Sequence, residues 1–559
     1  MTDFIEVAKL LDGIRVESSR KKKVTSIASF LRKLEPMSIY PATLFVSGRV
    51  FSETDSRNLN LSWKGISKAM EEAFGIKPDD LAKYYDGDAG EAVENYLKQD
   101  DLIVQSTLFS EPLTIRSVFR DLSRLASYSG KGSKKAREGI VQNMISEASP
   151  QEAKYIVSLL LGDLRTGVSE GLVLECISEA FEIDSHLIRR ALGFLGDIGR
   201  VAEIAAVDGQ SGIEEVKIEI FTPIKPMLAV PIDNPEELLE SEDGPFSFEP
   251  KYDGARVQIH INKNSCRIFS RRLLEVTDSL PDIVHLVRSV FLKEDAIFDG
   301  EVIAVNENGV PYPFQVVMRR FGRTKGTEEA SRRVKLQLRV FDILYLNSEM
   351  LVDDAYFKRR VNLIDSLPEE YVTPSKMMKN IDSIQEMFST SKKQGHEGLM
   401  IKKINSPYQL GKRGRYWFKL KHNLETLDLV IVAAEWGHGR RNDWLSDYHL
   451  AVYDSENGDY VMIGKTFKGL TDAEFEQMTR RLLSLETSRS KGIVTVKPEV
   501  VVEVLASEIQ DSPTYESGMA LRFARIVHIR DDKAPSDATT LEDLHSIYSS
   551  QFKYKAKLE

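Results

Sequence analysis

The chain is predicted to fold as three successive domains: a helical region over residues 1–220, a mixed α/β region over 221–422, and a small β-barrel of the OB-fold kind over 423–559. Three observations predict this. Apolar residues recur at helical spacing through the first region, and two prolines then bracket a lysine in FTPIKPMLAV (221–230). Beyond that point, short runs rich in branched and aromatic residues dominate. A chain of 559 residues is also too long for one core, and its length suits three or four domains.

In the first region, Phe4, Ile5, Ala8 and Leu11 keep helical spacing with charges between them. The N-terminus is therefore expected to belong to the fold and not to a signal peptide. Val141, Met144 and Ile145, then Tyr155, Ile156, Leu159 and Leu160, continue the period, with Pro150 after Ser149 placed at a helix start. LVLECISEAF (172–181) repeats the pattern. In the middle region ARVQIHI, CRIFSRR, AIFDGEVIAV, LQLRVFDILYL and GLMIKKI read as strands, with helices near 353–366 and 381–394 between them. The last region opens with two β runs around a Gly- and Arg-rich loop in LDLVIVAAEWGHGRRNDWLSDYHLAVYD. YVMIGKTF, VVVEVLASEI and LRFARIVHIR come next, with one helix over 471–484. Five or so strands with one inserted helix suit a small barrel.

Composition narrows the function class. No apolar run approaches the ~18 residues of a membrane span, so no membrane association is expected. Two cysteines, Cys176 and Cys266, are too few for a disulfide framework or a four-cysteine zinc site, and a reducing intracellular setting is expected. The net charge of −10 does not exclude nucleic acid, because 75 basic residues are present and their distribution decides. They cluster in SSRKKK (18–23), SGKGSKKAR (129–137) and GKRGRYWFKLKH (411–422). Each cluster alone also suits a solvated face; the third interleaves aromatics, as a phosphate-gripping and base-stacking surface would.

The chemistry centres on FEPKYDGARVQIH (248–260) and on a series of charged and aromatic residues downstream of it. Lys251 and Arg256 come first, then Arg271, Glu301 in FDGEV, Phe341 in VFDILYL and Glu397 in EGLMIK, then Arg415, Lys419 and Lys421 in RYWFKLK. One amine, two separated carboxylates, several cations and an aromatic suit nucleotidyl transfer. A lysine attacks phosphorus only as the free amine, although its unperturbed pKa is about 10.4. Burial and the neighbouring Lys419 and Lys421 are expected to lower that value. Glu301 and Glu397 are hard oxygen ligands of the type Mg²⁺ takes, and Phe341 is placed to stack on a purine. Singly, each glutamate also suits a surface salt bridge and Phe341 suits the core.

The ordered set resembles the covalent nucleotidyltransferase superfamily, most closely the ATP-dependent DNA ligases of the archaeal and eukaryotic replicative type. The resemblance covers nearly the whole chain, including LLLGDLRTGVSEG (159–171) and the C-terminal LRFARIVHIRDDKAPSDATT (521–540). It implies a helical DNA-binding domain, an antiparallel-sheet adenylation domain and an OB-fold domain, in that order. It implies Lys251 as the adenylated nucleophile, Glu249 at the adenine, and Arg256 and Arg271 at the sugar and phosphates. Glu301 and Glu397 become ligands of Mg²⁺, for which Mn²⁺ can substitute, and Phe341 becomes the stacking aromatic. Arg415, Lys419 and Lys421 fall in the last motif of that domain. Arg522, Arg530, Asp532 and Lys533 match the terminal motif, with Arg530 and Lys533 closing over ATP. ATP would be the AMP donor and nicked duplex DNA the substrate of a monomeric, cytoplasmic or nucleoid-associated enzyme. Arg272 stands where the family often has Asn, and Ala524 where it often has Pro. QSTLF, with Gln105, Leu108 and Phe109, is similar to peptides that bind a ring-shaped sliding clamp of the PCNA type, and equally suits a buried loop anchor.

Overall fold

The computed structural model describes residues 2–556, apart from residues 60, 77, 86, 100–111, 129–132, 292, 322–333, 423, 438–440, 442 and 491. The first region is helical from Phe4–Val16 to Gly209–Glu215, and its apolar stripes merge into one core running from Phe4 to Ile213. Helix starts are set by local chemistry. Ser149 and Glu152 close a capping box ahead of Pro150–Leu161, as the Ser-Pro break predicted. Such a cap contributes about 1 kcal/mol.

The proline-marked segment after this region is stitched down on both sides. The Phe221 amide donates to His260 Nδ1 (2.9 Å), and Gln258 exchanges two hydrogen bonds with the Ile224 backbone. Lys225 Nζ reaches back to Glu53 (2.8 Å) and Glu170 (2.7 Å) of the helical region. The boundary is therefore a fastened joint.

The middle region contains two five-stranded sheets. The first holds, in spatial order, β1 (Val230–Ile232), β10 (Trp417–Lys421), β9 (Gly398–Lys403), β2 (Phe246–Lys251) and β8 (Lys376–Met377). The second holds β4 (Cys266–Ser270), β3 (Ala255–Asn262), β5 (Asp295–Val305), β6 (Lys335–Leu346) and β7 (Glu349–Met350). Every pairing is antiparallel except β1 with β10. Helices Tyr356–Ile364 and Ile381–Lys393 lie where the sequence places them. The sequence shows no strand for β2, because Pro250 stands near its end; the structure makes Lys251 the last residue of that strand.

The C-terminal region is sheet-rich. β11 (Leu427–Trp436), β12 (Leu445–Asp454), β13 (Asp459–Thr466), β14 (Glu486–Ser490), β15 (Ile493–Leu505) and β18 (Arg525–Ile529) form one antiparallel sheet, and β16 (Glu508–Asp511) pairs with β17 (Met519–Arg522). Helix Asp472–Ser484 is capped by Thr471 and packs on this sheet through Phe475, Met478 and Leu482. A second helix, Leu541–Gln551, has no counterpart in the sequence pattern; of its residues only Leu544 is fully buried, so its apolar stripe is faint.

Candidate active site

Lys251 sits at the junction of the two sheets. Register explains its surroundings: β9 places Gly398 opposite Lys251 on one side and opposite Lys421 on the other. Glu397, one residue earlier, then falls between the two amines. Its Oε2 lies 2.8 Å from Lys251 Nζ and 2.7 Å from Lys421 Nζ. Gly398 is required for this approach, since its φ is +146° and a Cβ there would stand 2.1 Å from the Leu420 carbonyl oxygen. Gly254, in the Lys-Tyr-Asp-Gly turn, has a similar duty. A Cβ on it would meet the Val302 carbonyl oxygen at 2.4 Å and Glu301 Cγ at 2.9 Å, so glycine lets the turn press onto β5.

The electrostatics correct one expectation. Burial does pull the Lys251 amine toward the neutral form, but Glu397 and Glu301 outweigh it and leave its pKa raised. The lowered lysine is Lys419, brought to about 8 by burial, with Lys421 and Lys251 adding to the effect. Burial also pushes Glu301 up to about 7, against the pull of Lys251 and Arg256. Glu397 is likewise raised by burial, yet its two lysine partners hold it well below the usual carboxylate range.

Arg256 faces Glu301 across β3 and β5. Its guanidinium grips Asp299 through Nε (2.9 Å) and Nη2 (2.6 Å), donates from Nη1 to the Met227 carbonyl (2.7 Å) and from Nη2 to Tyr408 Oη (3.0 Å). Four of its five N–H donors are thus engaged, leaving one for a ligand. Phe341 lies beside it, with the Arg256 guanidinium 5.5 Å from the ring centroid and Trp417 edge-on at 6.0 Å. Glu249 is buried, its Oε2 2.8 Å from Lys402 Nζ and its Oε1 accepting from the Tyr356 hydroxyl.

The structure thus brings together Lys251, Glu301, Glu397, Lys419 and Lys421, with Arg256, Phe341 and Glu249 along one wall and Arg271 at the rim. Arg271 comes directly after the end of β4, and the charges that act on it are those of Arg256, Glu301, Arg413 and Arg272. Arg415 is not brought to this group; it is exposed and pairs with Glu242 on the outer side. Arg413, which no sequence signal singled out, is the arginine electrostatically coupled to both Lys419 and Arg271. Lys402, Tyr356 and Asp299 were also missed from sequence. Asp299, two residues before Glu301 and hence on the same strand face, and Lys402, the last residue of EGLMIK, carried a signal; Tyr356 carried none.

Arg530 and Lys533 pair within their own domain. Arg530 spans Asp532 (2.7 Å) and Asp428 (3.2 Å), and Lys533 Nζ lies 2.5 Å from Asp428. That domain reaches the cleft differently: Lys555, beyond the last helix, forms an ion pair with Asp253 of the Lys-Tyr-Asp-Gly turn, and the Ala556 amide donates to the Pro311 carbonyl (3.0 Å). Gln105, Leu108 and Phe109 lie outside the described residues.

Among the described residues there is no cluster of three or more His, Cys, Asp or Glu side chains able to cage a metal. The pair Glu301 and Glu397 nevertheless fits Mg²⁺, which takes one or two carboxylates and completes its shell with water and substrate phosphate oxygens.

Comparison with known proteins agrees with this geometry. Three family models match in succession: "DNA ligase N terminus" over residues 3–178, "ATP dependent DNA ligase domain" over 226–421, and "ATP dependent DNA ligase C terminal region" over 441–533. The chain belongs to the ATP-dependent DNA ligases. A DNA ligase of Thermococcus fumicolans is 37% identical over 99% of this chain and 100% of its own length. DNA ligase 1 of Korarchaeum cryptofilum is 40% identical over 98% of each chain. A solved chain described as "Pmar-Lig_PreS3" aligns over 94% of this chain and 99% of its own with a TM-score of 0.58; at 17% identity this likeness shows the fold alone. Nucleotidyl transfer through a lysyl–AMP intermediate is general to this family, and roles in replication and repair are typical of it.

Proposed function

We propose that this ligase seals nicks in duplex DNA with Lys251 as the nucleophile, ATP as the AMP donor, and Mg²⁺ or Mn²⁺ held by Glu301 and Glu397. The observation that carries the proposal is the sharing of Glu397 between the Lys251 and Lys421 amines. In this arrangement Lys251 is an ammonium. A cation that draws both Glu397 and Glu301 away leaves Lys251 with burial and the Lys419 and Lys421 charges, which favour the free base. The amine then forms a bond to the α-phosphorus of ATP as the bond to the bridging oxygen breaks and pyrophosphate leaves. AMP next passes to the 5′-phosphate of the nick, and the 3′-hydroxyl displaces it to form the phosphodiester. A divalent cation at Glu301 and Glu397 would offset charge developing on the phosphate oxygens.

In this reading Glu249 and Phe341 take the adenine, Arg256, Arg271, Lys419 and Lys421 the sugar and phosphates, and Arg530 and Lys533 swing in over ATP after leaving Asp428. A motion of that kind is ordinary gating. Arg415 contributes only if its pair with Glu242 opens. The domain limits proposed are 1–220, 221–422 and 423–559, with the last as an OB-fold; the end of the helical run at Glu215 and the start of β11 at Leu427 support them. The enzyme is proposed to act as an intracellular, nucleoid-associated monomer that engages a sliding clamp through Gln105, Leu108 and Phe109. Among the described residues no helix is long and apolar enough to cross a membrane.

The test is incubation with ATP labelled at the α-phosphate, and then with nicked duplex, with GTP, ADP and NAD run in parallel. A labelled adduct mapping to the Lys251 peptide and chased into DNA is expected. Label on another residue would remove Lys251 from its role.

A further inference from the structure

Beside the lysine cleft, and separated from it by Arg271, lies a second cleft of about 570 Å³ between the helical region and the adenylation domain. Arg49, Lys225, Arg271 and Arg272 line it against a single carboxylate, Glu53. That carboxylate is already shared, by Arg49 Nη1 at 2.7 Å and Lys225 Nζ at 2.8 Å. Arg271 and Arg272 have no carboxylate ion-pair partner among the described residues, whereas most of the described arginines do. The loop that carries them is fixed in place. Leu273 adopts a left-handed backbone (φ +65°), is 3% exposed, and lies against Gly196 of the helical region, where a Cβ would stand 2.9 Å from it. The helical region therefore holds two unneutralised guanidinium groups at a set position.

We infer that this cleft seats a backbone phosphate of the DNA, with Arg272 and Arg49 as its ligands from the two domains. This assignment rests on the ligase function proposed for the chain. Guanidinium groups match phosphate oxygens in planar, bidentate fashion. The Arg49–Glu53 pair is part-exposed and spaced i,i+4, the kind that costs little to open. A DNA phosphate suits the site better than the tail of ATP for a geometric reason. One wall belongs to the region matched by the ligase N-terminal family, and none of the residues gathered around Lys251 comes from that region. Arg271, coupled to Arg256 and Glu301 on one side and to Arg272 on the other, marks the partition between nucleotide and strand.

The test uses the full chain with Arg49→Ala, Arg272→Ala and the double variant. Self-adenylation is measured against ATP concentration, and nicked-duplex affinity against salt. Each phosphate contact contributes about 0.9 to the slope of log K against log salt. The double variant is expected to form lysyl–AMP with a KM for ATP within about twofold of the parent, bind nicked duplex about tenfold more weakly at 0.1 M salt, and lose about one to two from that slope. Normal adenylation in the same samples reports an intact fold, and Arg272→Lys should restore most of the slope. An unchanged slope would overturn the assignment, and so would a raised KM for ATP, which would give the cleft to the nucleotide's phosphates. A parent enzyme that forms no sealed product would overturn the ligase function itself; a sealing parent with an unchanged slope in the double variant overturns only the cleft.

Discussion

Two groups of cations in this molecule have opposite fates. Lys251 and Lys421 converge on one part-buried carboxylate, Glu397, at a sheet junction, where the β2–β9–β10 register and the close approach at Gly398 fix the backbone that carries it. Arg530 and Lys533 converge on Asp428, equally part-buried, but within the C-terminal domain and away from the lysine cleft. The first group is built before substrate arrives. The second is parked, and its partner is replaceable. Preorganisation thus belongs to the adenylation cleft, and the proposed closure over ATP requires the C-terminal cations to exchange Asp428 for a new partner.

Breaking the first group should have the largest effect. Lys251→Ala is expected to cut self-adenylation by about a thousandfold or more, the scale on which a covalent nucleophile acts. Its thermal unfolding should stay near that of the parent; an undiminished adduct would show that the nucleophile lies elsewhere.

Gly398→Ala tests whether the backbone is what holds the group. The φ of +146° and the 2.1 Å approach to Leu420 predict a loss of at least about 1–3 kcal/mol, read by urea unfolding, together with a fall in adenylation. Unchanged stability would mean that the β9–β10 register can adjust.

The joint beneath the cleft responds to pH. His260 is fully buried, and burial pulls its pKa down to about 3. The unfolded chain takes a proton near pH 6.5 and the folded chain does not, so the contribution of this group is present above that pH. It is lost as pH falls from about 6.5 toward 3, by up to about 1.4 kcal/mol per pH unit. Urea unfolding of the parent and of His260→Gln between pH 7 and pH 4.5 should show a shallower acid slope in the variant; parallel slopes would clear His260 of the effect.

The smallest effect is expected at the parked group. Asp428→Asn removes a part-exposed partner and should change stability by no more than about 1 kcal/mol. It should speed self-adenylation by releasing Arg530 and Lys533. A slower reaction would show that Asp428 aims these cations instead of storing them.

Much of the fold was legible because β3, β4, β5, β6 and β9 each carry their own alternating or apolar run, while the short β1, β7 and β8 carry none, and because helices such as Pro150–Leu161 carry both period and cap. β2 was hidden by Pro250, and the last helix by its thin apolar face. The site was legible as an inventory: Lys251, Glu301, Glu397, Lys419 and Lys421 do meet. Their protonation was not, because it depends on which neighbour is nearest. The sequence shows lysines near Lys251, while the register places a carboxylate closer. The same holds for Arg413 and Arg415, two residues apart. One is coupled to the cleft and the other is turned to Glu242.

By itself, then, the sequence determined the order of the three regions, the Lys-Tyr-Asp-Gly turn and the family, because those depend on local pattern and on residues at characteristic spacing. Only the tertiary structure decided that Lys251 is held as an ammonium by Glu397, that the terminal cations are engaged by Asp428, and that two arginines stand unneutralised beside the helical region. Charge states and ion pairs are properties of distances between residues far apart in the chain. Electrostatic energy varies with those distances and with burial, and neither can be read along a single strand of sequence.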